Sequence, residues 1–215
     1  VAALRHTNIV QVYDFGDAAG MYYMVMEYID GSDLARLLAE RGRLPLAQAL
    51  PLLRDVAAAL DYAHAQGLVH RDVKPSNVMI QAAGAAGVGQ RAILTDFGIA
   101  KILTGAGSGA TRAGTMIGTP DYMAPEQIRA AGDVDQRVDI YALGVVLFQM
   151  LTGRLPFAGG NPGEVVQAHL SQPAPNPRTL LPDLPVRVAD AVLRALAKDP
   201  GERYQTAGAL ASEVE

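Results

Sequence analysis

Between Val138 and Leu151 the chain carries almost nothing but apolar side chains: Val-Asp-Ile-Tyr-Ala-Leu-Gly-Val-Val-Leu-Phe-Gln-Met-Leu. A helix without a polar face has to be buried on all sides. The apolar stretch Tyr141 to Leu151 is about half the length a membrane span needs, so its cover has to come from the chain itself. Helical periodicity supplies candidates. Leu46 to Gln66 is alanine-rich, with Leu50, Leu53, Val56, Ala57 and Leu60 at helical spacing, and Gly67 ends it. Glu164 to Leu170, Arg187 to Ala197 and Ala207 to Glu215 read as further helices, after Pro156-Phe157 breaks the pattern. The proline-rich stretch Pro173 to Pro185 reads as a packed connector.

The first part of the chain has a different period. Asn8 to Gly16 and Met21 to Ile29 are rich in β-branched and aromatic residues, and Asp17-Ala18-Ala19-Gly20 separates them. This pattern predicts a β-hairpin. Gly31-Ser32-Asp33 then opens a helix at Leu34, with Ser32 as the expected cap. Short strands are expected on either side of the loop His70 to Asn77, with Val78-Met79-Ile80 and Ala92-Ile93-Leu94 the clearest runs. Gln81 to Arg91 and Thr104 to Gly118 are rich in small residues and read as slack surface segments. Gln81 to Arg91 has neither the strand-to-helix context nor the Lys-Ser/Thr ending of a phosphate-binding glycine loop. There is no internal repeat.

The densest chemistry lies in His70-Arg71-Asp72-Val73-Lys74-Pro75-Ser76-Asn77. One loop holds a proton acceptor, two cations and a neutral oxygen ligand. Nineteen residues beyond Asn77 comes Asp96-Phe97-Gly98. Taken singly, Asp72, Asn77 and Asp96 read as turn residues that cap backbone groups. Taken together, they resemble the catalytic loop and metal-binding motif of a family of phosphoryl-transfer enzymes. Further along come Ala124-Pro125-Glu126, Asp139 to Gly144, and Asp199-Pro200 followed by Arg203.

In this order and spacing the segments resemble eukaryotic-type serine/threonine protein kinases over essentially the whole chain. Lys74 and Gly118-Thr119 favour that branch over the tyrosine kinases, and Val-Lys-Pro-Ser-Asn-Val-Met-Ile is most similar to the bacterial members. The implied fold class is α+β: a mainly helical large lobe with a remnant of the small-lobe antiparallel sheet. Residues 1–29 correspond to the small-lobe remnant (the end of helix C at Leu4-Arg5-His6, two strands and the start of the hinge), and 30–215 to the large lobe. The family's glycine-rich loop, phosphate-binding lysine and the glutamate partner of that lysine are expected before Val1. On this reading the chain is a fragment, inactive alone.

The resemblance also assigns roles. Asp72 receives the substrate hydroxyl's proton, Lys74 steadies the transferring phosphoryl group, and Asn77 and Asp96 offer oxygen to magnesium, or to manganese in its place. Glu27, Tyr28 and Ile29 form the hinge whose backbone reads the adenine of ATP. Met26 limits pocket depth and Met79 lies at the pocket floor, although ordinary core packing is the alternative for both. Arg71 takes a phosphate from the activation segment, on Thr111 or Thr115. Thr119 lines the substrate pocket beside Asp72 and Lys74. Glu126 and Arg203 form a buried ion pair, Asp139 anchors the catalytic loop, and His70 and Phe97 pack in a spine.

Composition narrows the partners. The net charge is −4, so the chain has no electrostatic footprint for nucleic acid. There is no cysteine, which excludes disulfides and thiolate metal sites, and His6, His64 and His169 are too scattered to form one. Protein serine and threonine side chains are the expected substrates, with dimerisation as a route to autophosphorylation. The expected setting is cytoplasmic, within a parent protein that a membrane segment outside this chain could anchor. Two alternatives are a pseudokinase acting as a docking module, opposed by intact Asp72, Asn77 and Asp96, and a small-molecule phosphotransferase, opposed by Ala124-Pro125-Glu126.

Overall fold

The computed structural model describes residues 4–81, 90–97, 120–129 and 134–215. Its helices are α1 (Leu34–Arg41), α2 (Leu46–Ala65), α3 (Pro125–Ile128), α4 (Arg137–Thr152), α5 (Pro162–Ser171), α6 (Val186–Ala195) and α7 (Ala207–Val214). The strands are β1 (Val12–Ala18), β2 (Met21–Met26), β3 (Gly31–Asp33), β4 (Val78–Gln81) and β5 (Arg91–Leu94). The α+β reading holds, with helices dominant.

Helix α4 is the core: thirteen of its sixteen residues are buried. Helices α2, α6 and α7 surround it. The approach to α6 is close enough that a Cβ on Gly144 would lie 2.8 Å from the Ala195 Cβ. Side-chain carboxylates pin the layers together. Asp61 on α2 accepts the N–H groups of Ala207 and Gly208 at 2.7 and 2.8 Å, and so caps α7 across the layer. Asp55, also on α2, accepts the Ala92 N–H at 2.8 Å and fixes β5.

The strands form two sheets. β1 and β2 pair antiparallel around Ala19 and Gly20, both at positive φ (54° and 77°), the geometry of a two-residue hairpin turn. β3, β4 and β5 form an antiparallel sheet in that order. The hairpin is tied to this sheet through Asn8 to Val10. Val10 N–H donates to Leu94 O (3.0 Å), Leu94 N–H to Asn8 O (2.8 Å), and the Asn8 carboxamide to Ala92 O (2.8 Å).

The structure corrects several details. The first strand starts at Val12, because Asn8 to Val10 spend their hydrogen bonds on β5. Asp33, not Ser32, caps α1: its Oδ1 accepts the Arg36 N–H at 2.8 Å, while Ser32 is drawn into the ladder opposite Ile80. No strand precedes the loop, since Leu68 to Lys74 are irregular, and so are Leu4 to His6, expected as a helix end. The connector before α6 is packed, with Pro177 and Leu184 buried. Residues 82–89 and 98–119, which include both slack segments almost entirely, lie outside the described residues.

Candidate active site

The loop between α2 and β4 is built on one buried carboxylate. Asp139, in the first turn of α4, is wholly inaccessible and meets three donors. Its Oδ2 accepts the His70 N–H and lies 2.8 Å from His64 Nε2, and its Oδ1 accepts the Arg71 N–H at 2.7 Å. These bonds hold Arg71 at φ 68°, a left-handed conformation that a residue with a Cβ resists. The His70 ring is buried beneath the loop, with Nε2 2.8 Å from Thr95 O and its centroid 4.6 Å from that of Phe97.

The backbone turns at Pro75–Asn77 and then enters β4. Asn77 O accepts both the Thr95 N–H (2.9 Å) and the Thr95 hydroxyl (3.1 Å), which joins the loop to the residue before Asp96. The Asn77 carboxamide points back, and its Nδ2 donates to Asp72 O at 2.8 Å and to Asp72 Oδ2 at 3.1 Å. Lys74 Nζ lies 2.8 Å from the same Oδ2. The Asp72 carboxylate is therefore oriented by two donors while its side chain stays 47% exposed, open to a substrate. Asp96 is exposed and left-handed too, at φ 61°, between buried Thr95 and buried Phe97. The chain thus brings together Asp72, Lys74 and Asn77 directly, and Asp96 through Thr95.

The oxygen donors suit a hard cation. Asn77 Nδ2 is committed to Asp72, so Oδ1 is the open end of the carboxamide, and Asp96 adds one carboxylate. Among the described residues no group of three His, Cys, Asp or Glu side chains stands ready to hold a metal by itself. One carboxylate and one amide oxygen fit magnesium that arrives with a polyphosphate, because magnesium retains waters and shares phosphate oxygens.

At the other side of the site, Met26 ends β2 opposite Val12 and is 38% exposed. Glu27 N–H donates to Gln11 O at 2.8 Å. Neither Tyr28 nor Ile29 makes a backbone hydrogen bond to a described residue. Ile29 is buried with Val10 and Ile93, and Met79 packs against them. Met79 therefore packs in the cluster that buries Ile29, whereas Met26 is outside it. A cleft of about 550 Å³ lined by Arg5, His6, Gln11, Tyr13, Glu27 and Arg91, among others, lies apart from Asp72, Asn77 and Asp96.

Beyond the loop, Glu126 and Arg203 are joined by two hydrogen bonds of 2.6 and 2.9 Å. The guanidinium is fully buried and also donates to the carbonyls of Ala197, Arg137 and Lys198. Nearby, burial and the Lys198 charge hold His169, whose Nδ1 meets the Tyr141 hydroxyl at 2.8 Å, down at a pKa of about 4. Thr111, Thr115 and Thr119 lie outside the described residues. Sequence reasoning missed two residues that support the loop: Gln127, which donates to Arg71 O, and His64, which meets the loop's anchor Asp139. His64 is a polar residue on the buried stripe of α2, and Gln127 is the third helical residue after Ala124. Both positions are visible in the sequence, but their partners are not.

The family model described as protein kinase domain matches residues 1–214. The serine/threonine-protein kinase PknB of Mycobacterium leprae is 42% identical over 218 residues, covering 99% of this chain and 34% of that protein. PrkC of Bacillus subtilis, another serine/threonine-protein kinase, is 38% identical over 213 residues, covering 99% of this chain and 32% of that protein. The chain thus spans about a third of the length of these curated relatives. Among solved structures, the kinase domain of Mycobacterium tuberculosis PknI superposes with a TM-score of 0.75 at 32% identity, covering 98% of this chain and 72% of that one. Rad53 in complex with AMP-PNP superposes with a TM-score of 0.79 at 28% identity, covering 99% of this chain and 51% of that one. With its fold, loop geometry and matches in agreement from end to end, the chain belongs to the protein kinase domain family.

Proposed function

We propose that this chain is the catalytic core of a serine/threonine protein kinase, which transfers the γ-phosphoryl group of ATP to a serine or threonine hydroxyl of a protein. The observation that carries the reading is the convergence on Asp72: Lys74 Nζ at 2.8 Å and Asn77 Nδ2 at 3.1 Å from one carboxylate oxygen. Phosphoryl transfer asks a protein chiefly to position reactants and to stabilise charge. Asp72 accepts the hydroxyl proton as the oxygen attacks phosphorus and the bond to ADP breaks. Carboxylates are weak bases as a class, so holding the oxygen in line is the larger contribution. Lys74 offsets the charge spread over the transferring group. Asn77 and Asp96 would hold magnesium, which when bound neutralises phosphate charge.

The backbone of Glu27 to Ile29 would read the adenine edge, with Ile29 and Met79 beneath it. We assign residues 1–29 to the small lobe and 30–215 to the large lobe. Thr119 lines the substrate pocket, and Arg71 pairs with a phosphate on Thr111 or Thr115. The reaction is assigned to the cytoplasm. These 215 residues hold no lysine before Lys74, so by themselves they lack an ammonium for the ATP phosphates on the hinge side. We expect them to turn over weakly alone.

A substrate screen tests the reading. The full-length protein, given ATP and magnesium, should phosphorylate serine or threonine in peptides and leave aminoglycosides and sugars unmodified, as read by mass spectrometry. Phosphate found on the small molecules, or on nothing, would refute it.

A further inference from the structure

We infer that Gln127 is a positioning residue for Asp72: its carboxamide donates to Arg71 O and so holds the Arg71–Asp72 peptide from α3. The inference rests on the kinase reading only for its effect on turnover.

The starting point is the conformation of Arg71. At φ 68° it turns the chain sharply, and its N–H is fixed by Asp139. That bond determines one side of the residue. The other side is the peptide that leads into Asp72, and rotation of this peptide swings the Asp72 carboxylate. Its N–H donates to His70 Nδ1 at 3.2 Å, a long bond. Its carbonyl, Arg71 O, accepts from Gln127 Nε2 at 3.0 Å.

Gln127 is well placed to act as a fixed post. It sits in α3 directly after Glu126, which the buried Arg203 guanidinium ties to the helical body. Its own Oε1 accepts the Ala124 N–H at 3.0 Å, so both ends of the carboxamide are engaged. The Ala124 bond alone is the reach-back half of a capping box, an ordinary way to start a helix. Capping accounts for Oε1 only. It does not account for Nε2 lying within hydrogen-bond distance of a carbonyl 56 residues earlier, in the loop that carries Asp72. Arg71 is thus gripped from two helices, α4 at its N–H and α3 at its carbonyl. A displacement of Ala124-Pro125-Glu126 that carries Gln127 away therefore releases the peptide that aims Asp72.

The test uses the full-length protein with two variants. Gln127→Glu keeps an acceptor for the Ala124 N–H and loses the donor to Arg71 O. Gln127→Met keeps the length and loses both. Each is measured for kcat, for KM of ATP and of a peptide, and for backbone amide exchange over residues 68–75. A misaimed group in an otherwise intact site costs about tenfold to a hundredfold in rate. Both variants should lose kcat by that factor with KM for ATP unchanged, and exchange over 68–75 should quicken while that of α4 does not. Wild-type kcat and wild-type exchange in either variant would overturn the inference. So would a lowered melting temperature with full turnover per folded molecule, the behaviour of a helix cap alone. If the wild type phosphorylates no protein, the kinase reading falls by itself, and exchange over 68–75 still decides whether Gln127 holds the loop.

Discussion

Replacing Asp139 with asparagine changes one atom and sets up a conflict whose size follows from the geometry. The carboxylate accepts from three donors, with His70 N–H and His64 on Oδ2 and Arg71 N–H on Oδ1. A carboxamide has one oxygen. If that oxygen takes the Oδ2 position, the amide NH₂ faces the Arg71 N–H. If it takes the Oδ1 position, the NH₂ faces the His70 N–H. Either way one buried backbone donor is left unsatisfied, at about 1–3 kcal/mol. The neutral amide recovers part of the cost of burying a charge, so the net loss is about 2 kcal/mol. In a domain of this size that lowers Tm by about 4–8 °C. Arg71 also loses an anchor on a conformation that costs about 1–3 kcal/mol, so the loop relaxes and kcat falls more than stability does. Asp139→Ala, which strands all three donors, should be worse on both counts. Thermal unfolding followed by circular dichroism, with phosphotransfer rates on the same samples, measures both effects. An Asp139→Asn protein that melts within about 1 °C of the parent and turns over at its rate would refute the reasoning.

Two further outcomes follow from buried charge. Glu126→Ala leaves the Arg203 guanidinium, which is fully inaccessible, with carbonyl partners only, and should cost about 3–5 kcal/mol, read as a fall in Tm; an unchanged Tm would show that the ion pair contributes nothing. His169 supplies a pH dependence. Its pKa in the folded state, about 4, lies below the ordinary value of 6.5, so between those values the unfolded chain holds a proton that the folded one does not. Stability contributed by this group is therefore fully present above pH 6.5 and is lost as pH falls toward 4. A His169→Gln variant should show a shallower loss over that window in urea unfolding, and parallel curves would exclude His169 as a source.

The parts of the molecule that could be read from sequence are those whose physics is local. The apolar run around Val145 demanded burial on all sides, and α4 has it. Amphipathic spacing located α2, α5, α6 and α7 to within a few residues, because one buried stripe dictates each. The loop from His70 to Asn77 was legible because its charged groups are neighbours along the chain. Contacts between distant segments were not. Nothing near Gln127 announces a bond to Arg71, and nothing near Asp61 announces that it caps α7. Ser32 lost the capping role to Asp33 because β3 pairs with β4, a long-range event that local propensity does not register. His64 looked like a scattered histidine until α4 brought Asp139 to it.

The central claim is that Asp72 aims and deprotonates the hydroxyl that receives the phosphoryl group. The most direct test compares full-length wild type with Asp72→Asn in transfer of labelled γ-phosphate from ATP to a serine or threonine peptide, with nucleotide affinity measured alongside. The variant keeps the shape of the side chain and its place beside Lys74 and Asn77 but no longer accepts a proton. Its kcat should fall by about 10²–10⁴, the usual contribution of a positioned base, while ATP binds within a few fold of wild type. Transfer by Asp72→Asn at the wild-type rate would contradict the claim.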